Sequence, residues 1–386
     1  MSGLSVCSPH CGLAPETTSG GETYEREILT ALAALGVRIE LLLARGKPVP
    51  EGVANFTVHR LPIRRGLRWP VARVLLPPYI KRVWDVAPFD VLRAHSLRFI
   101  GPAALAARRR YRLDVPVIAH HHHLDPSPLN WLIEKRVIAA ADRVVTGSEF
   151  SRRQLAAELG GRTDHVVVVP YGIDAKFAPR PRREDLIDRY GLRGQRVVLF
   201  LGGLKGRKNL PLLLDVWRAA APEAPDARLV VAGGGALLDG LRARARALGL
   251  GDRVVFTGYV PEADKVDHYN LADVFLFPSA LEGFGLAVGE AMACGLPVVA
   301  SDRGSIPELL VDGEGGFLCA PTGAEPFVRR LRLLLADTAL REKLGRANAE
   351  RVRRLFTWDR CARETLRVYE ETLAAWRRRP REPRGG

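Results

Sequence analysis

Short apolar runs alternate with amphipathic helical segments along this chain, and the alternation starts again after a polar interval near its middle. In the first half the predicted strands are LSVCSPH (4–10), VRIELLLAR, FDVLRAH, VPVIAHHH, ADRVVTGS and DHVVVVP. In the second half they are RVVLFLGGL, ARLVVAGGG, RVVFTGYV, DVFLFPS and PVVASD. Buried strands separated by helices are typical of parallel sheets in α/β proteins. The pattern predicts two Rossmann-like α/β domains, as the length of 386 residues also suggests.

The polar interval FAPRPRREDL marks the predicted boundary between the halves, because a segment rich in proline and arginine is typical of a linker. We predict an N-terminal domain over 1–178, a C-terminal domain over 193–357, a helix over 358–379 that packs back toward the N-terminal domain, and a disordered tail at 380–386. Ligands of open parallel sheets bind outside the carboxyl ends of the strands. Two such sheets facing a central cleft are therefore each expected to hold one ligand.

The chain is strongly basic, with 58 lysines and arginines against 43 aspartates and glutamates and a formal net charge of +15. This balance favours anionic partners such as nucleic acid, anionic lipid or phosphorylated ligands, although an arginine-rich host proteome explains part of it. No apolar run reaches the ~18 residues of a membrane span, and the N-terminus lacks the regions of a signal peptide. A cytoplasmic protein is expected, with peripheral contact to the inner face of the cell membrane as an open alternative.

The five cysteines do not indicate a metal centre. Cys7 and Cys11 flank His10, but two cysteines and one histidine close in sequence are too few for a structural zinc site. We therefore expect these cysteines to be buried or idle thiols.

The segment LGGLKGRKNL (201–210) lies between a predicted strand and a predicted helix. The backbone can approach a ligand closely at its glycines, Gly202, Gly203 and Gly206. Arg207 and Lys208 add positive charge at the start of the helix, so the segment predicts an anion site. The alternative is a tight turn with two solvated cations. The residue order of a P-loop is absent.

The stretch EGFGLAVGE (282–290) carries two glutamates eight positions apart around three glycines. The residues after EGFG predict a short helix that ends at Gly295, so Glu282 belongs to a loop and Glu290 to the helix. Two such carboxylates could supply the acid and base of glycosidic-bond cleavage, hold sugar hydroxyls, or simply be solvated. Backbone N–H groups near the helix start suit a phosphate or a sugar, at Phe284, Gly285 and Leu286.

These residues resemble the family 4 retaining glycosyltransferases of the GT-B fold. The E-x7-E pattern with EGFG and the following EAMACGLPVVASD carries the resemblance, and LGGLKGRKNL is similar to the family's glycine turn ending in Arg-Lys-Asn. Further similar motifs, in the family's order, are SGG at the first helix, FDVLRAHS, ADRVVTGSEFS, VVVPYGID and FTGYVPE. The resemblance covers nearly the whole chain and points to a mannosyltransferase-like sub-branch.

The resemblance implies a role for each carboxylate. Glu282 would meet hydroxyls of the donor sugar and Glu290 the ribose of the nucleotide, through charge-assisted hydrogen bonds. Arg207 and Lys208 would hold the diphosphate leaving group, on which charge builds as the C–O bond breaks. The remaining implied donor-binding residues are Gly202, Gly203, Gly258, Tyr259, Val260, Gly283, Phe284, Gly285 and Leu286. In one departure from many members, Gly203 stands where they carry an arginine, and Arg207 is its implied substitute.

Four consecutive histidines, at 120–123, end a predicted strand. The resemblance implies that a histidine at this place faces the donor sugar across the cleft. Alternation along a strand puts 120 and 122 on one face, and we prefer His122, with His121 and His123 as rivals near the acceptor. A polar strand end without a catalytic role is the alternative. The other acceptor-side candidates are His95, Gly20 and Gly21.

The resemblance thus implies transfer of a sugar from a nucleotide-sugar donor to a hydroxyl of a glycan or lipid-linked acceptor, with retention at the anomeric carbon. It also implies that the reaction uses neither a metal nor a cofactor. GDP-mannose is the first expectation for the donor and a UDP-sugar the second. Two other functions stay open. A nucleotide-sugar epimerase of the same fold would convert the donor alone, and a non-catalytic basic module for membrane or RNA would bind no donor. We do not expect a nucleic-acid partner.

The segment 60–84, RLPIRRGLRWPVARVLLPPYIKRVW, combines seven basic residues with three large aromatic residues and contains no acidic residue. Basic residues among aromatic ones suit an anionic membrane surface, and the same composition suits nucleic acid. A lipid-linked acceptor favours the membrane, whereas a solvated loop is the alternative. The prolines are expected to prevent a continuous helix.

Replacing Arg64, Arg65 and Arg68 with Ser is expected to release the protein from anionic vesicles, because each cation near such a surface contributes roughly 1 kcal/mol. Co-sedimentation measures the release. Added salt should imitate the substitutions, since exposed charges are screened over about 8 Å at physiological ionic strength. Nucleotide binding, predicted in the other half, should not change. A triple variant that sediments as the wild type does would contradict the membrane role.

Overall fold

The structure, a computed structural model, describes residues 3–10, 13, 20–62, 72–122 and 128–380. The chain divides into two compact units. The first comprises the residues up to Tyr171 and those from Trp358 onward, and the second comprises Gly172–Thr357. Each unit is a parallel sheet with helices between successive strands, as the alternation of apolar runs predicts.

The strands are β1 (Ser5–His10), β2 (Arg38–Ala44), β3 (Phe56–Leu61), β4 (Val91–Ala94), β5 (Val117–His121), β6 (Arg143–Thr146), β7 (Val166–Val168), β8 (Arg196–Leu201), β9 (Ala227–Ala232), β10 (Val254–Gly258), β11 (Val274–Phe277), β12 (Val298–Ser301) and β13 (Gly316–Cys319). The helices are α1 (Gly20–Ala34), α2 (Ala72–Val86), α3 (Ile100–Tyr111), α4 (Pro128–Ala140), α5 (Glu149–Glu158), α6 (Glu184–Tyr190), α7 (Leu210–Ala220), α8 (Leu238–Ala247), α9 (Lys265–Asn270), α10 (Leu286–Ala293), α11 (Ile306–Leu309), α12 (Glu325–Ala336), α13 (Thr338–Leu355) and α14 (Trp358–Arg377).

The first unit has the strand order β3-β2-β1-β4-β5-β6-β7. The chain moves outward from β1 to β3 and then returns to the other side of β1 with β4, so its direction reverses between β1 and β4. Ligands of open α/β sheets bind at the carboxyl ends of the strands where this reversal occurs. His10 ends β1 and His95 directly follows β4, so this end of the first sheet carries titratable side chains.

The second unit has the strand order β10-β9-β8-β11-β12-β13, and its direction reverses between β8 and β11. Gly202 directly follows β8, and the loop after β11 leads to Glu282. The two segments that the sequence singles out as donor-binding therefore leave adjacent strands at the reversal. Their proximity follows from the topology alone.

Helix α14 belongs to the first unit and packs against α1. One face of α14 is buried, including Cys361, Val368 and Tyr369. The opposite face is rich in arginine and acidic residues that pair at i,i+4, such as Arg363 with Asp359. An amphipathic helix of this length is stabilised mainly by burial of its apolar face.

The segment suggested as a linker, 178–195, lies within the second unit and contains α6. Its arginines are tied to that unit: Arg183 pairs with Asp267 at 3.0 Å, and Arg182 pairs with Asp273 at 2.8 Å. The chain passes from one unit to the other after Tyr171 and again before Trp358. Arginine content alone did not distinguish a solvated linker from a segment that pairs with acidic neighbours.

The segment 60–84 is not one continuous helix, as expected, because its first residues belong to β3, but Pro77 and Pro78 lie inside α2 in its second part. Two adjacent prolines remove two backbone donors, but Leu76, Ile80 and Val83 bury this helix in the apolar core of the first unit. The first part of the segment ends β3. Residues 63–71, which include Arg64, Arg65 and Arg68, lie outside the described residues, as do residues 381–386 of the predicted tail.

Among the helices that the structure describes, none combines the length and apolar character needed to cross a membrane.

Gly345 of α13 packs directly on the turn that ends α10. A Cβ atom at Gly345 would lie 2.0 Å from the carbonyl oxygen of Gly295. Gly345→Ala is therefore expected to lower the free energy of unfolding by about 1–3 kcal/mol, as overpacking does in well-packed cores.

The matched control is Gly240→Ala in α8, where a Cβ would meet no atom within 4 Å. This variant should be neutral or more stable by about 0.4–1 kcal/mol, because alanine restricts the unfolded chain. Urea denaturation of both variants measures the difference. Equal stability of the two would contradict the packing of α13 on α10.

Candidate active site

Glycine turns follow β8, β9 and β10 side by side at the carboxyl end of the second sheet. Gly202 N–H donates to Ala232 O (3.0 Å), and Gly233 N–H donates to Gly258 O (2.8 Å). Gly233 has φ +150°, and a Cβ there would lie 2.0 Å from the Gly202 carbonyl oxygen, so no other residue fits. The AGGG run, a weak signal in the sequence, is thus what lets these turns approach each other.

Two further predicted residues lie at the end of β10. Tyr259 is 51% exposed, whereas Val260 is buried. The Cβ of Tyr259 lies close to Gly234, where an added Cβ would be 3.4 Å away. Tyr259 thus presents an aromatic ring to solvent beside the glycine turns.

Lys208 is the centre of the predicted anion site. It ends a single turn of 3-10 helix, Gly206–Lys208, directly before Asn209 and α7. Its ammonium Nζ lies 2.7 Å from Glu282 Oε1 and 4.5 Å from the centre of the Phe277 ring. The Lys208 side chain is buried, and burial lowers its pKa, a shift that the Glu282 carboxylate opposes.

The Glu282 carboxylate accepts hydrogen bonds from three neighbouring side chains. Besides Lys208, the hydroxyl of Ser279 donates to Oε1 at 2.6 Å, and Arg207 lies 2.8 Å from Oε2. Burial alone would raise the pKa of Glu282, but the charges of Lys208 and Arg207 outweigh it, and the pKa is lowered. Glu282 is therefore ionised at neutral pH. The structure brings together all three charged residues that the sequence assigned to the donor sugar and diphosphate.

The loop between Glu282 and α10 is fixed by its backbone. Ser305 N–H donates to the carbonyl oxygen of Glu282 (3.1 Å). Gly285 has φ +95° directly before α10, and a Cβ there would lie 2.7 Å from Ile306 Cδ1. Phe284 is buried. Helix α10 then begins at Leu286, as predicted, and Gly295 (φ +78°) follows its end.

Glu290 lies on α10 and is also buried. Its Oε2 accepts from the hydroxyl of Tyr269 at 2.7 Å, and its Oε1 lies 3.3 Å from Lys265 Nζ. Glu282 and Glu290 thus share one arrangement, in which a lysine and a hydroxyl hold a buried carboxylate. Sequence reasoning missed Ser279, Lys265 and Tyr269. The spacing of Lys265 and Tyr269, four residues apart on one face of α9, is the signal that could have indicated a shared partner.

A second buried carboxylate cluster lies in the first unit, around Glu25 of α1. Arg93 of β4 makes a two-pronged ion pair with Glu25, with Nη2 at 2.9 Å from Oε1 and Nη1 in contact with Oε2. His10 Nε2 lies 3.1 Å from Oε2, and His122 Nε2 lies 3.2 Å from Oε1. Burial alone would raise the pKa of Glu25, but the charge of Arg93 and the hydrogen bonds from His10 and His122 together outweigh it, and the pKa is well below its usual range.

Because Glu25 is ionised, it accepts from the Nε2–H groups of His10 and His122. The Nδ1 atom of His122 then accepts from the hydroxyl of Tyr171 at 2.6 Å, since burial raises the pKa of that tyrosine and keeps it protonated. Both ring nitrogens of His122 therefore have partners within the first unit. Its side chain is 16% exposed. Neither Glu25 nor Tyr171 was predicted, although an acidic residue among the apolar positions of α1 was a signal for a buried partner.

The other predicted residues of the first unit are placed as follows. The ring of Tyr24 lies beside His120 and His122, and His121 faces Thr146 instead, which is the alternation expected of a strand. His120 contacts the hydroxyl of Tyr369 at 2.8 Å. Gly20 and Gly21 are the first residues of α1, whereas His123 lies outside the described residues.

His95 stacks on His10, with ring centres 3.6 Å apart and planes inclined by 8°. Donor atoms of His10, Glu25 and His95 lie within 4.8 Å of one another, a spacing at which a metal ion could bind. However, the lone pairs of an imidazole lie in the ring plane, so an ion in the plane of one stacked ring lies out of the plane of the other. Both oxygens of Glu25 already accept from Arg93. The arrangement of His10, Glu25 and His95 therefore favours a hydrogen-bonded network over a metal site.

Comparison with known proteins adds two family matches. The sequence model of the family described as Glycosyl transferases group 1 matches residues 182–351, and that of Glycosyltransferase Family 4 matches residues 18–177. The chain is 32% identical to a D-inositol 3-phosphate glycosyltransferase of Kineococcus radiotolerans, over 92% of this chain and 91% of that protein. It is also 32% identical to a GDP-mannose-dependent alpha-(1-6)-phosphatidylinositol monomannoside mannosyltransferase of Mycolicibacterium smegmatis, over 69% and 70% of the two chains.

Solved structures give the same fold. Sucrose-phosphate synthase from Thermosynechococcus elongatus superposes with a TM-score of 0.81 at 23% identity, covering 96% of this chain and 100% of that one. Anabaena HepE in complex with UDP and glucose gives 0.78 at 20% identity, covering 95% and 100%. At these identities the likeness shows the architecture, which is GT-B.

Arg93→Met is expected to lower the free energy of unfolding by about 3–5 kcal/mol, because it leaves Glu25 buried without its cation. Urea denaturation at neutral pH measures the loss. The exposed Arg109 of α3 provides the matched control, since Arg109→Met removes a cation that is not buried. This control should change stability by less than about 0.5 kcal/mol.

The double variant Arg93→Met, Glu25→Gln should recover part of the loss, because no uncompensated buried charge remains. In the wild type the carboxylate contributes stability above about pH 4.3, the ordinary pKa of glutamate. That contribution is lost as the pH falls through the lowered folded-state pKa. A double variant no more stable than Arg93→Met would contradict this account of the cluster.

Proposed function

The chain belongs to the family 4 glycosyltransferases, which are retaining enzymes of the GT-B fold that take a sugar from a nucleotide-sugar donor, and we propose that its donor is GDP-mannose and its acceptor a hydroxyl of a glycan or lipid-linked molecule. The observation that carries the proposed donor site is the buried ion pair of Lys208 and Glu282, joined by the half-exposed Arg207, at the carboxyl ends of β8 and β11. Charged side chains are rarely buried without a function or a partner.

In the proposed site Glu282 accepts hydrogen bonds from the donor sugar, and Glu290 accepts hydrogen bonds from the hydroxyls of the ribose. Each carboxylate oxygen has two lone pairs. Oε1 of Glu282 already accepts from Lys208 and Ser279, so its Oε2, beside Arg207, can accept one sugar hydroxyl, whereas each oxygen of Glu290 can accept one ribose hydroxyl besides its present partner. Lys208 has three N–H donors, of which Glu282 takes one. The others, with the half-exposed guanidinium of Arg207, can bind the diphosphate.

The proposed reaction needs no nucleophile from the enzyme. The acceptor oxygen attacks the anomeric carbon from the face that the diphosphate leaves, and the leaving phosphate oxygen takes the acceptor's proton. Negative charge grows on the diphosphate in the transition state, where Lys208 and Arg207 stabilise it more than in the ground state. Proposed metal independence follows from the same two cations, which supply positive charge at the leaving group.

His122 stays a predicted contact of the donor sugar. Its Nδ1 atom now accepts from Tyr171, so we propose that a sugar hydroxyl replaces the tyrosine hydroxyl as the donor to this nitrogen. Glu25 would keep Nε2 protonated in both states.

GDP-mannose as the donor is supported by the name of the mycolicibacterial relative, which is GDP-mannose-dependent. The name of the kineococcal relative suggests a phosphorylated polyol as another acceptor class. The HepE structure, which holds UDP and glucose, supports a UDP-sugar as the second candidate for the donor. The basic composition of 60–84 supports peripheral binding to an anionic membrane, where a lipid-linked acceptor would lie.

A thermal-shift panel of nucleoside diphosphates and nucleotide-sugars tests the proposal. A true ligand at 100 times its dissociation constant stabilises the protein by ~2.7 kcal/mol. GDP and GDP-mannose should give the largest shifts. If no nucleotide stabilises the protein, the proposed function is wrong and a non-catalytic module is favoured. If incubation with the donor alone yields a different nucleotide-sugar, the protein is an epimerase.

Lys208→Ala is expected to lower kcat by about 10²-fold or more, because the ammonium acts on charge that develops in the transition state. Lys343→Ala, an exposed lysine of α13, is the control and should leave kcat unchanged. Circular dichroism and denaturation check that Lys208→Ala is folded at the assay temperature. Near-normal turnover of folded Lys208→Ala would remove this residue from the leaving-group role.

A further inference from the structure

Both carboxylate oxygens of Glu290 are held by side chains of α9. Tyr269 donates its hydroxyl hydrogen to Oε2 at 2.7 Å, and Lys265 approaches Oε1 at 3.3 Å. The two partners come from one short helix, so the position of α9 sets the direction of both contacts. Glu290 therefore has little freedom to rotate about its terminal torsion.

The surrounding side chains hold Tyr269 in one position as a hydrogen-bond donor. It is fully buried, and its ring packs against Phe177 and Phe275 with centres 5.8 and 5.7 Å away. Burial raises its pKa well above the ordinary value, so the hydroxyl stays protonated. The hydroxyl also lies 3.2 Å from the carbonyl oxygen of Ala287. It has one hydrogen, and the shorter contact to a charged acceptor is the stronger one.

Lys265 is shared between two carboxylates. Its ammonium lies 2.9 Å from Glu262 Oε2 as well as 3.3 Å from Glu290 Oε1. Burial would lower its pKa, but Glu290 and Glu262 outweigh that effect and the pKa is raised, so the lysine stays charged. Glu262 in turn pairs with Lys176 at 3.2 Å. Because Lys265 divides its charge between two acids, Glu290 keeps the capacity to accept further hydrogen bonds.

We infer that Tyr269 is a positioning residue, which together with Lys265 holds the Glu290 carboxylate in the one orientation that accepts two vicinal hydroxyls of the nucleotide ribose. The inference rests on the proposed function, in which Glu290 meets the ribose. A carboxylate fixed in advance loses no rotational freedom on binding, and this preorganisation adds to affinity without a new contact to the ligand. A purely structural tyrosine would affect folding but not the discrimination between ribose and its deoxy analogue.

The test compares Tyr269→Phe with wild type by calorimetric titration of GDP and of 2′,3′-dideoxy-GDP. The variant should bind GDP about three- to tenfold more weakly, the effect of one hydrogen bond, and should bind the dideoxy analogue as the wild type does. Tyr190→Phe is the matched control, since that hydroxyl contacts His268 at 3.1 Å in the same unit. The control should bind both nucleotides normally.

Two further variants keep the test independent of folding. Lys265→Gln removes the partner of the other carboxylate oxygen without opening the core, and it should give a similar ribose-dependent loss. In a Glu290→Ala background, Tyr269→Phe should have no further effect on GDP binding, because its only route to the ribose is gone. Lys265→Gln decides the question if Tyr269→Phe does not fold.

Three outcomes would overturn the inference alone, and a fourth would overturn the proposed function as well. An equal loss for GDP and its dideoxy analogue would assign Tyr269 a general structural role. No loss for either variant would show that Glu290 needs no positioning. Wild type that binds GDP and the dideoxy analogue equally well would remove Glu290 from the ribose while leaving the donor site intact. Wild type that binds no nucleotide at all would instead reject the proposed function, and the inference with it.

Discussion

The buried contact between Lys208 and Glu282 is the interaction on which the candidate site depends. Neither charge would be stable in this place alone, since an unpaired buried ion is costly. Together with Arg207 and the Ser279 hydroxyl they form a group in which both oxygens of the Glu282 carboxylate have partners. The site is therefore assembled before any ligand arrives, and donor binding would add acceptors to cations that are already in position.

The same arrangement recurs at the other two buried carboxylates of the described chain that bear on function. Glu290 is held by Lys265 and Tyr269, and Glu25 by Arg93 with two imidazoles. Replacing the whole of such a buried ion pair with well-packed hydrophobic residues is often neutral or stabilising, so stability alone does not account for the charges. In the proposed function the charge is useful because an ionised carboxylate accepts several hydrogen bonds and donates none, which suits the hydroxyls of a sugar or a nucleotide.

The sequence was sufficient for the central strands and for Glu282, Arg207 and Lys208, because apolar runs and glycine turns have local signals. It was insufficient for β3 and β13, two of the four edge strands, whose residues are only partly buried or too few to form an apolar run. Pro77 and Pro78 argued against a helix that tertiary packing nonetheless stabilises. Tyr269 and Glu25 were missed because their partners lie 21 and 68 positions away along the chain, and only the topology brings them together.

The central claim is that Glu290 and its neighbours in the second unit form the nucleotide site. Titration of GDP into wild type and Glu290→Ala, by calorimetry and with denaturation to confirm folding, tests it most directly. The account predicts that wild type binds and that the variant binds more weakly by about 1.5–3 kcal/mol, the contribution of a hydrogen bond to a charged group. Equal affinity of a folded Glu290→Ala variant would contradict it.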